Sequence, residues 1–382
     1  MELKDNPNYP DIPYLREKGR SRVPGFAYEY LEGGCNSETN LRRNTEDIRN
    51  INLKPVYIRK CGAPTLETTL FGKTYDAPFG MSPIGLQGLI WPGASEILAE
   101  AAYRYNIPFI LSTVATASIE KIAEITHGQA WFQLYNPVED ELRQDMLKRL
   151  KHAGYEVLVV LTDVPSFGYR STEIKNGLSM PPRMTLRNIY QIMTHPRWAL
   201  ETLFRGQPEF QTLKPYIPSG TNMKQLGLFM NKTFSGVLNK EKVKEIRDQW
   251  DGKMVLKGVT SMEDANEAVQ LGADGVIVSN HGGRQLDMAP SSINVLQEIV
   301  SAYEDKLTVM MDSGIRNGPD IANTLATGAD FAFLGRSFMY GVAALGKRGG
   351  EHTISILYKQ LRQVMEQLRC ERIHELRKHR MQ

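Results

Sequence analysis

The chain has 382 residues, 41% of them hydrophobic and 23% charged, a balance that supports a large buried core and excludes a disordered or fibrous chain. Its formal net charge is only +3, with Lys and Arg interleaved among Asp and Glu, which argues against a nucleic-acid partner. The three cysteines (Cys35, Cys61, Cys370) are far apart, odd in number and without metal-ligand spacing, so neither a disulfide framework nor a metal site is expected and a reducing cytoplasmic setting fits.

The first residues, MELKDNPNYPDIPYL, place acids and prolines where a signal peptide needs a basic start and an apolar core. No apolar run approaches the ~20 residues of a membrane-spanning helix. The chain is expected to be soluble, or at most attached to a membrane surface.

From there the text alternates. Short runs rich in Val, Ile, Leu and Phe occur at 77–85, 107–113, 130–135 and 156–163, then after a long gap at 254–258, 275–280, 307–314 and 331–336. Each ends in a polar or glycine-bearing corner. The segments between, such as SIEKIAEI, VEDELRQDMLKRLKHA and SMEDANEAVQLG, carry acids early and apolar residues at helical spacing. Continuous apolar strands alternating with helices predict a parallel sheet covered on its outer face, and eight such units close a barrel. The expected fold is therefore α/β, a (β/α)8 TIM barrel over about residues 76–370. It has an N-terminal extension and a long insertion between the fourth and fifth strands, about 181–236, within a single domain spanning 1–382. An open doubly wound sheet is the competing fold, which the count of eight disfavours.

In such barrels the chemistry gathers where the strands end. Here those ends carry Ser112, Gln133 with Tyr135, Asp163, Lys257, Ser279 with His281, Asp312 and Arg336. One polar strand end is usually a cap or a loop contact. A Lys, a His and an Arg beyond near-continuous apolar runs are costly to leave at the edge of a core without partners. The stretch SNHGGRQLD, Ser279 to Asp287, presents His281 and Arg284 around two glycines, and a plain turn has no use for either side chain. DSGIRNG and LGRS follow the seventh and eighth strands, where barrels commonly hold a phosphate. Glycine admits anionic oxygens to the backbone, and Arg316 and Arg336 can bind them in a forked way. The residues alone leave open whether that phosphate belongs to a substrate or a cofactor.

Taken in order, FQLY, LKG, SNHGGRQLD, DSGIRNG and LGR resemble the FMN-dependent 2-hydroxy acid dehydrogenases and oxidases, over nearly the whole chain from YEYLEGG onward. NLRRNTED, LETTLF, ILSTV and THPRWA look most similar to the membrane-associated L-lactate dehydrogenases, and YLEGG and GYR to mandelate dehydrogenase. The resemblance implies His281 as the base that removes a substrate proton, suited by an ordinary pKa near neutrality. It implies Asp163 as the carboxylate that holds that imidazole, although an aspartate before VPSFG also serves as a helix N-cap. Arg284 and Arg170, helped by Tyr30, would clamp the substrate carboxylate, and Tyr135 would direct its hydroxyl at the substrate, or simply pack at the barrel mouth. For FMN it implies Lys257 beside the ring, with Gln133, Ser112, Ser279 and the backbone of Pro83, Ile84 and Gly85 along the ring or ribityl chain. The phosphate would fall to Asp312, Ser313, Gly314 and Arg316 and to Gly335 and Arg336. No glycine-rich dinucleotide fingerprint opens a βαβ unit, which favours FMN over FAD or NAD. A homotetramer is a further expectation.

Two departures from the family stand out. A threonine that often faces the flavin is Leu161 here, and Thr162, one residue later, should point the other way. Val114 stands where glycolate oxidase has a tryptophan, which should widen the pocket. The insertion mixes Leu, Ile, Met, Trp198 and Phe204 with Arg183, Arg187, Arg197 and Arg205. A basic amphipathic helix of that kind can lie in a membrane surface through 183–205, on the cytoplasmic face of the cell membrane, and pass electrons to a quinone. A lid over the active site is the alternative. The expected activity is oxidation of an L-2-hydroxy acid, L-lactate first, with an O2-using oxidase or a mandelate-type dehydrogenase as alternatives and a non-catalytic flavin-binding barrel as a remote one.

Overall fold

A computed structural model describes residues 6–178, 183–234 and 238–381. Eight parallel strands form one sheet: β1 (Phe79–Met81), β2 (Ile110–Ser112), β3 (Trp131–Leu134), β4 (Val157–Leu161), β5 (Lys253–Val259), β6 (Gly275–Val278), β7 (Thr308–Met311) and β8 (Phe331–Leu334). Each pairs with its successor from β2 to β8, and β8 pairs with β1. A parallel bridge between Met81 and Phe109, just before β2, closes the ring. The expected (β/α)8 barrel is what forms.

Period-2 alternation sorts the strand residues into two cores. Ile110, Trp131, Val157, Val159, Val255, Ile277, Met310, Phe331 and Phe333 pack together inside the barrel. Leu111, Phe132, Leu158, Leu256, Val276, Val309 and Ala332 pack outward against the helices. The same alternation, carried two residues further up, sets Ser112, Gln133, Leu161, Lys257, Ser279, Asp312 and Gly335 on the inward face at the C-terminal mouth. At the other end an antiparallel hairpin, Thr68–Leu70 with Lys73–Tyr75, plugs the barrel. Its Phe71 packs on Trp131 and its Tyr75 on Phe331, with ring centroids 5.7 and 5.9 Å apart. Only the C-terminal mouth stays open.

Two segments build walls around that mouth. The N-terminal extension forms helices Ile12–Arg20, Gly25–Glu32 and Thr39–Arg49. The insertion forms helices Leu186–Thr194, Pro196–Arg205 and Met223–Thr233; its expected limits at 181–182 and 235–236 lie outside the described residues. It is anchored by Trp198, whose indole N–H donates to the carbonyls of Leu89 and Ile90 at 3.1 Å and whose ring meets Phe26 edge-on. Trp198 is 5% exposed, so its truncation to alanine should cost about 3–5 kcal/mol. The insertion's outer face is different. Leu186, Tyr190, Met193, Leu200, Leu203 and Phe204 are all exposed, the last at 83%.

Candidate active site

The mouth opens into a cavity of about 450 Å³. Its base is a buried ion pair: Lys257 Nζ lies 3.1 Å from Asp312 Oδ2 and donates to Ser279 Oγ at 2.9 Å. Ser82 and Ser313 donate to the two Asp312 oxygens at 3.1 and 3.0 Å. Burial alone would push the Asp312 pKa up, but the Lys257 ammonium and the Ser279 and Ser313 hydroxyls outweigh it and hold the carboxyl below its ordinary value. Asp312 lines the cavity with Ser313, Gly314 and Arg316, the other residues expected after β7. Its inward register sets it against Lys257, because a buried carboxylate needs a cation. Ser112 and Gln133 are buried at the same level. Leu161 is buried on this inward face, while Thr162 donates its hydroxyl to the Lys257 carbonyl at 2.9 Å, as alternation requires.

The segment after β6 explains its own glycines. His281, Gly282 and Gly283 all have left-handed φ values, 59°, 66° and 74°. A Cβ on Gly283 would sit 2.6 Å from the Leu41 backbone, so only glycine lets helix Thr39–Arg49 approach. For His281 the same conformation is strained, and such strain persists where neighbours over-determine it. Here they do. Asn280 is buried between Asn40 and Asn44, with amide contacts of 2.9 and 2.7 Å, and Asp287 accepts from the backbone of Ser37 and Asn40. These two motif residues scaffold the loop rather than face the cavity.

The result is a fixed imidazole. His281 Nδ1 lies 3.1 Å from Asp163 Oδ1, and His281 Nε2 lies 3.4 Å from the Tyr135 hydroxyl. With Asp163 accepting from Nδ1–H, the lone pair is on Nε2, on the cavity side. Burial lowers the His281 pKa below its ordinary value and Asp163 opposes that, so the ring is a neutral base near neutral pH. Asp163 caps no helix, since the next one starts at Ser171 with Arg170 as its N-cap. Room for Asp163 comes from Gly258, whose φ is 105° at a register shift in β5 and whose Cβ would lie 2.6 Å from the Asp163 Cβ.

Arg284 is equally fixed. Its Nη1 donates to the carbonyls of Tyr30 and Gly33 at 2.9 and 2.8 Å, its guanidinium lies 4.9 Å over the Tyr30 ring, and its Nη2 contacts Glu173. Arg170 lies beside it, with Nη1 3.6 Å from the other oxygen of Glu173. Nothing in the sequence reading singled out Glu173. The only signal is its spacing of three from Arg170 in a helical stretch. The same reading missed Phe210 and Met230, by which the insertion itself lines the cavity.

Pro83, Ile84 and Gly85 after β1 line the cavity beside Gly335 and Arg336, which follow the neighbouring β8, together with Gly314 and Arg316. Arg336 is buried and donates to the carbonyls of Leu31, Gly282 and Gly33 at 2.9, 3.1 and 2.9 Å. Much of its expected fork is thus spent on tying the extension to the barrel. Two of its five N–H groups remain. Neither Arg316 nor Arg336 has a carboxylate in salt-bridge range among the described residues. Burial, then the Arg316 charge, pushes the Arg336 pKa down to about 9. Two close guanidiniums without an anion, at the end of a cavity with a lysine at its base, fit the phosphate and ring of FMN.

Comparison with known proteins agrees with this geometry. A family model described as FMN-dependent dehydrogenase matches residues 19–382. An L-lactate dehydrogenase of Vibrio cholerae is 37% identical over 362 residues, covering 94% of this chain and 96% of that one. The crystal structure of (S)-mandelate dehydrogenase, described as a monotopic membrane protein, superposes with a TM-score of 0.92 at 34% identity, covering 98% of this chain and 99% of that chain. A mandelate oxidase structure superposes with a TM-score of 0.82 at 30% identity, covering 97% of both chains.

Proposed function

The chain belongs to the FMN-dependent dehydrogenase family and oxidises 2-hydroxy acids, and we propose that its substrate is L-lactate and its acceptor a membrane quinone or respiratory carrier. The observation that carries the chemistry is the Asp163–His281 pair aimed into a cavity that also holds Arg284 and Lys257. FMN, when bound, supplies a two-electron acceptor for the substrate's C2.

The chain's own residues do the rest. Arg284 and Arg170, with the Tyr30 hydroxyl, hold the substrate carboxylate and so fix which face of C2 is presented. His281 Nε2 takes the proton, and Asp163 stabilises the imidazolium that forms. Tyr135 hydrogen-bonds the substrate oxygen beside Nε2. Lys257 would hold a positive charge beside bound FMN, which favours a negatively charged ring. Arg316 and Arg336, with Asp312 and the backbone of Ser313, Gly314 and Gly335, would hold the phosphate end of FMN, and Ser112, Gln133, Ser279 and the 83–85 backbone would flank the ring and ribityl chain.

The acceptor is read from the insertion, which both lines the cavity through Phe210 and Met230 and exposes an apolar outer face. Flanked by Arg183, Arg187, Arg197 and Arg205, that face suits the surface of an anionic membrane, each basic side chain adding about 1 kcal/mol of salt-sensitive attraction. No helix among the described residues is long and apolar enough to cross a membrane, and the contact proposed here is a peripheral one. Reoxidation of the lactate-reduced enzyme by a quinone analogue and by oxygen, each in turn, tests this reading. Fast stoichiometric peroxide formation without vesicle binding makes the protein an oxidase whose insertion is a lid.

A further inference from the structure

Glu173 is the only carboxylate among the described residues within ion-pair distance of the proposed substrate clamp. It lies in the short helix Ser171–Lys175, three residues after Arg170, so one turn brings both side chains to the same face. Its two oxygens are divided between two guanidiniums: Oε1 contacts Arg284 Nη2, and Oε2 lies 3.6 Å from Arg170 Nη1. All three side chains line the cavity together with Tyr30. Arg284 cannot swing away to meet a ligand elsewhere, because two backbone carbonyls and the Tyr30 ring hold it.

The charges can be counted. Two guanidiniums and one carboxylate leave the clamp with one net positive charge. Elsewhere at the cavity base Lys257 offsets Asp312, while the Asp163 carboxylate beside the neutral His281 adds a negative charge that disfavours a second anion further. The side chains of Arg170, Glu173 and Arg284 are only 17%, 12% and 14% exposed, so water screens this cluster poorly. A ligand with one carboxylate neutralises it. A ligand with two brings an uncompensated negative charge into the same poorly screened cavity as Glu173, and desolvated like charges are unfavourable.

We infer that Glu173 is a specificity-determining residue, which sets the clamp to accept 2-hydroxy monocarboxylates and to reject dicarboxylates by charge. The selection is electrostatic and is strongest for short dicarboxylates, whose second charge stays close to Glu173. It deepens the reading above and rests on Arg170 and Arg284 being the carboxylate clamp.

The test uses the flavin-loaded enzyme and two non-reacting probes, propanoate and succinate, titrated against the visible flavin spectrum. The wild type should bind propanoate at least roughly tenfold more tightly than succinate, the scale of one misplaced charge. Glu173→Gln should abolish or reverse that preference with flavin content unchanged, and Glu173→Asp should retain it. The kcat/KM ratio of L-lactate to L-malate should move in parallel. A wild type that binds succinate as tightly as propanoate overturns the inference, whatever the variant does. So does a Glu173→Gln enzyme that binds both probes more weakly by the same factor, which would make Glu173 a brace. Failure of L-lactate to reduce the wild-type flavin would sink the proposed substrate instead, while the probe titrations would still report on the clamp.

Discussion

Asp163 and His281 are 118 residues apart in the chain, yet their side chains meet at 3.1 Å, and the second Asp163 oxygen is buried without a partner. A carboxylate left half-satisfied in a buried place is held there by its one strong contact, the imidazole. That contact fixes the ring tautomer and leaves Nε2 free for a substrate proton.

Substitution at the two positions should therefore separate binding from chemistry. His281→Gln should load flavin normally and reduce it roughly 10²- to 10⁴-fold more slowly, the range of a lost general base. Asp163→Asn should keep flavin and substrate affinity while slowing reduction, because the imidazolium is no longer stabilised. Anaerobic single-turnover traces against L-lactate check both. An Asp163→Asn enzyme with an undiminished rate would reduce the carboxylate to a structural role.

The pH profile follows from the direction of the His281 shift. Burial lowers the pKa from 6.5, and only the neutral ring accepts a proton, so activity is present above the lowered pKa and lost as pH falls through it. The acid limb of kcat/KM should have its midpoint below 6.5. Removing the Asp163 charge, which opposes the effect of burial, should move that limb further down.

Lys257 and Asp312 depend on each other below the flavin site. Lys257→Met leaves the Asp312 carboxylate buried without a cation, which should cost about 3–5 kcal/mol in chemical denaturation and reduce flavin retention. Adding Asp312→Asn should recover much of the stability and little of the flavin binding. Equal stability of Lys257→Met and wild type would place Asp312 in contact with water.

Much of this was legible because strand alternation does not stop at the strand's end. The inward places of Ser112, Gln133, Lys257, Ser279 and Asp312, and the outward turn of Thr162, follow from period 2 alone. What could not be read is pairing across distance. Sequence order does not reveal that Lys257 stands opposite Asp312. Glu173 was overlooked because a glutamate in a polar loop is usually solvated, and only the fold brings Arg284 to it. The insertion was read as either a membrane face or a lid, and the chain gives it both an inner, cavity-lining side and an outer, exposed apolar one.

That outer side yields its own test. Leu203 and Phe204 are 77% and 83% exposed and lie far along the helix from the buried Trp198 anchor. Leu203→Glu with Phe204→Glu should abolish co-sedimentation with anionic vesicles at low salt and leave flavin reduction by L-lactate intact. Unchanged sedimentation would take the membrane contact away from this face.

Everything proposed for the site turns on His281 removing the proton when a 2-hydroxy acid gives up its electrons to FMN. The most direct measurement is anaerobic mixing of L-lactate with the purified flavoprotein and with its His281→Gln variant, followed through the flavin colour. The wild type should bleach rapidly with L-lactate and not with D-lactate, more slowly when the C2 hydrogen is deuterium, and the variant should stay yellow and scarcely bleach. A His281→Gln enzyme that bleaches as fast as the wild type would contradict that role for His281.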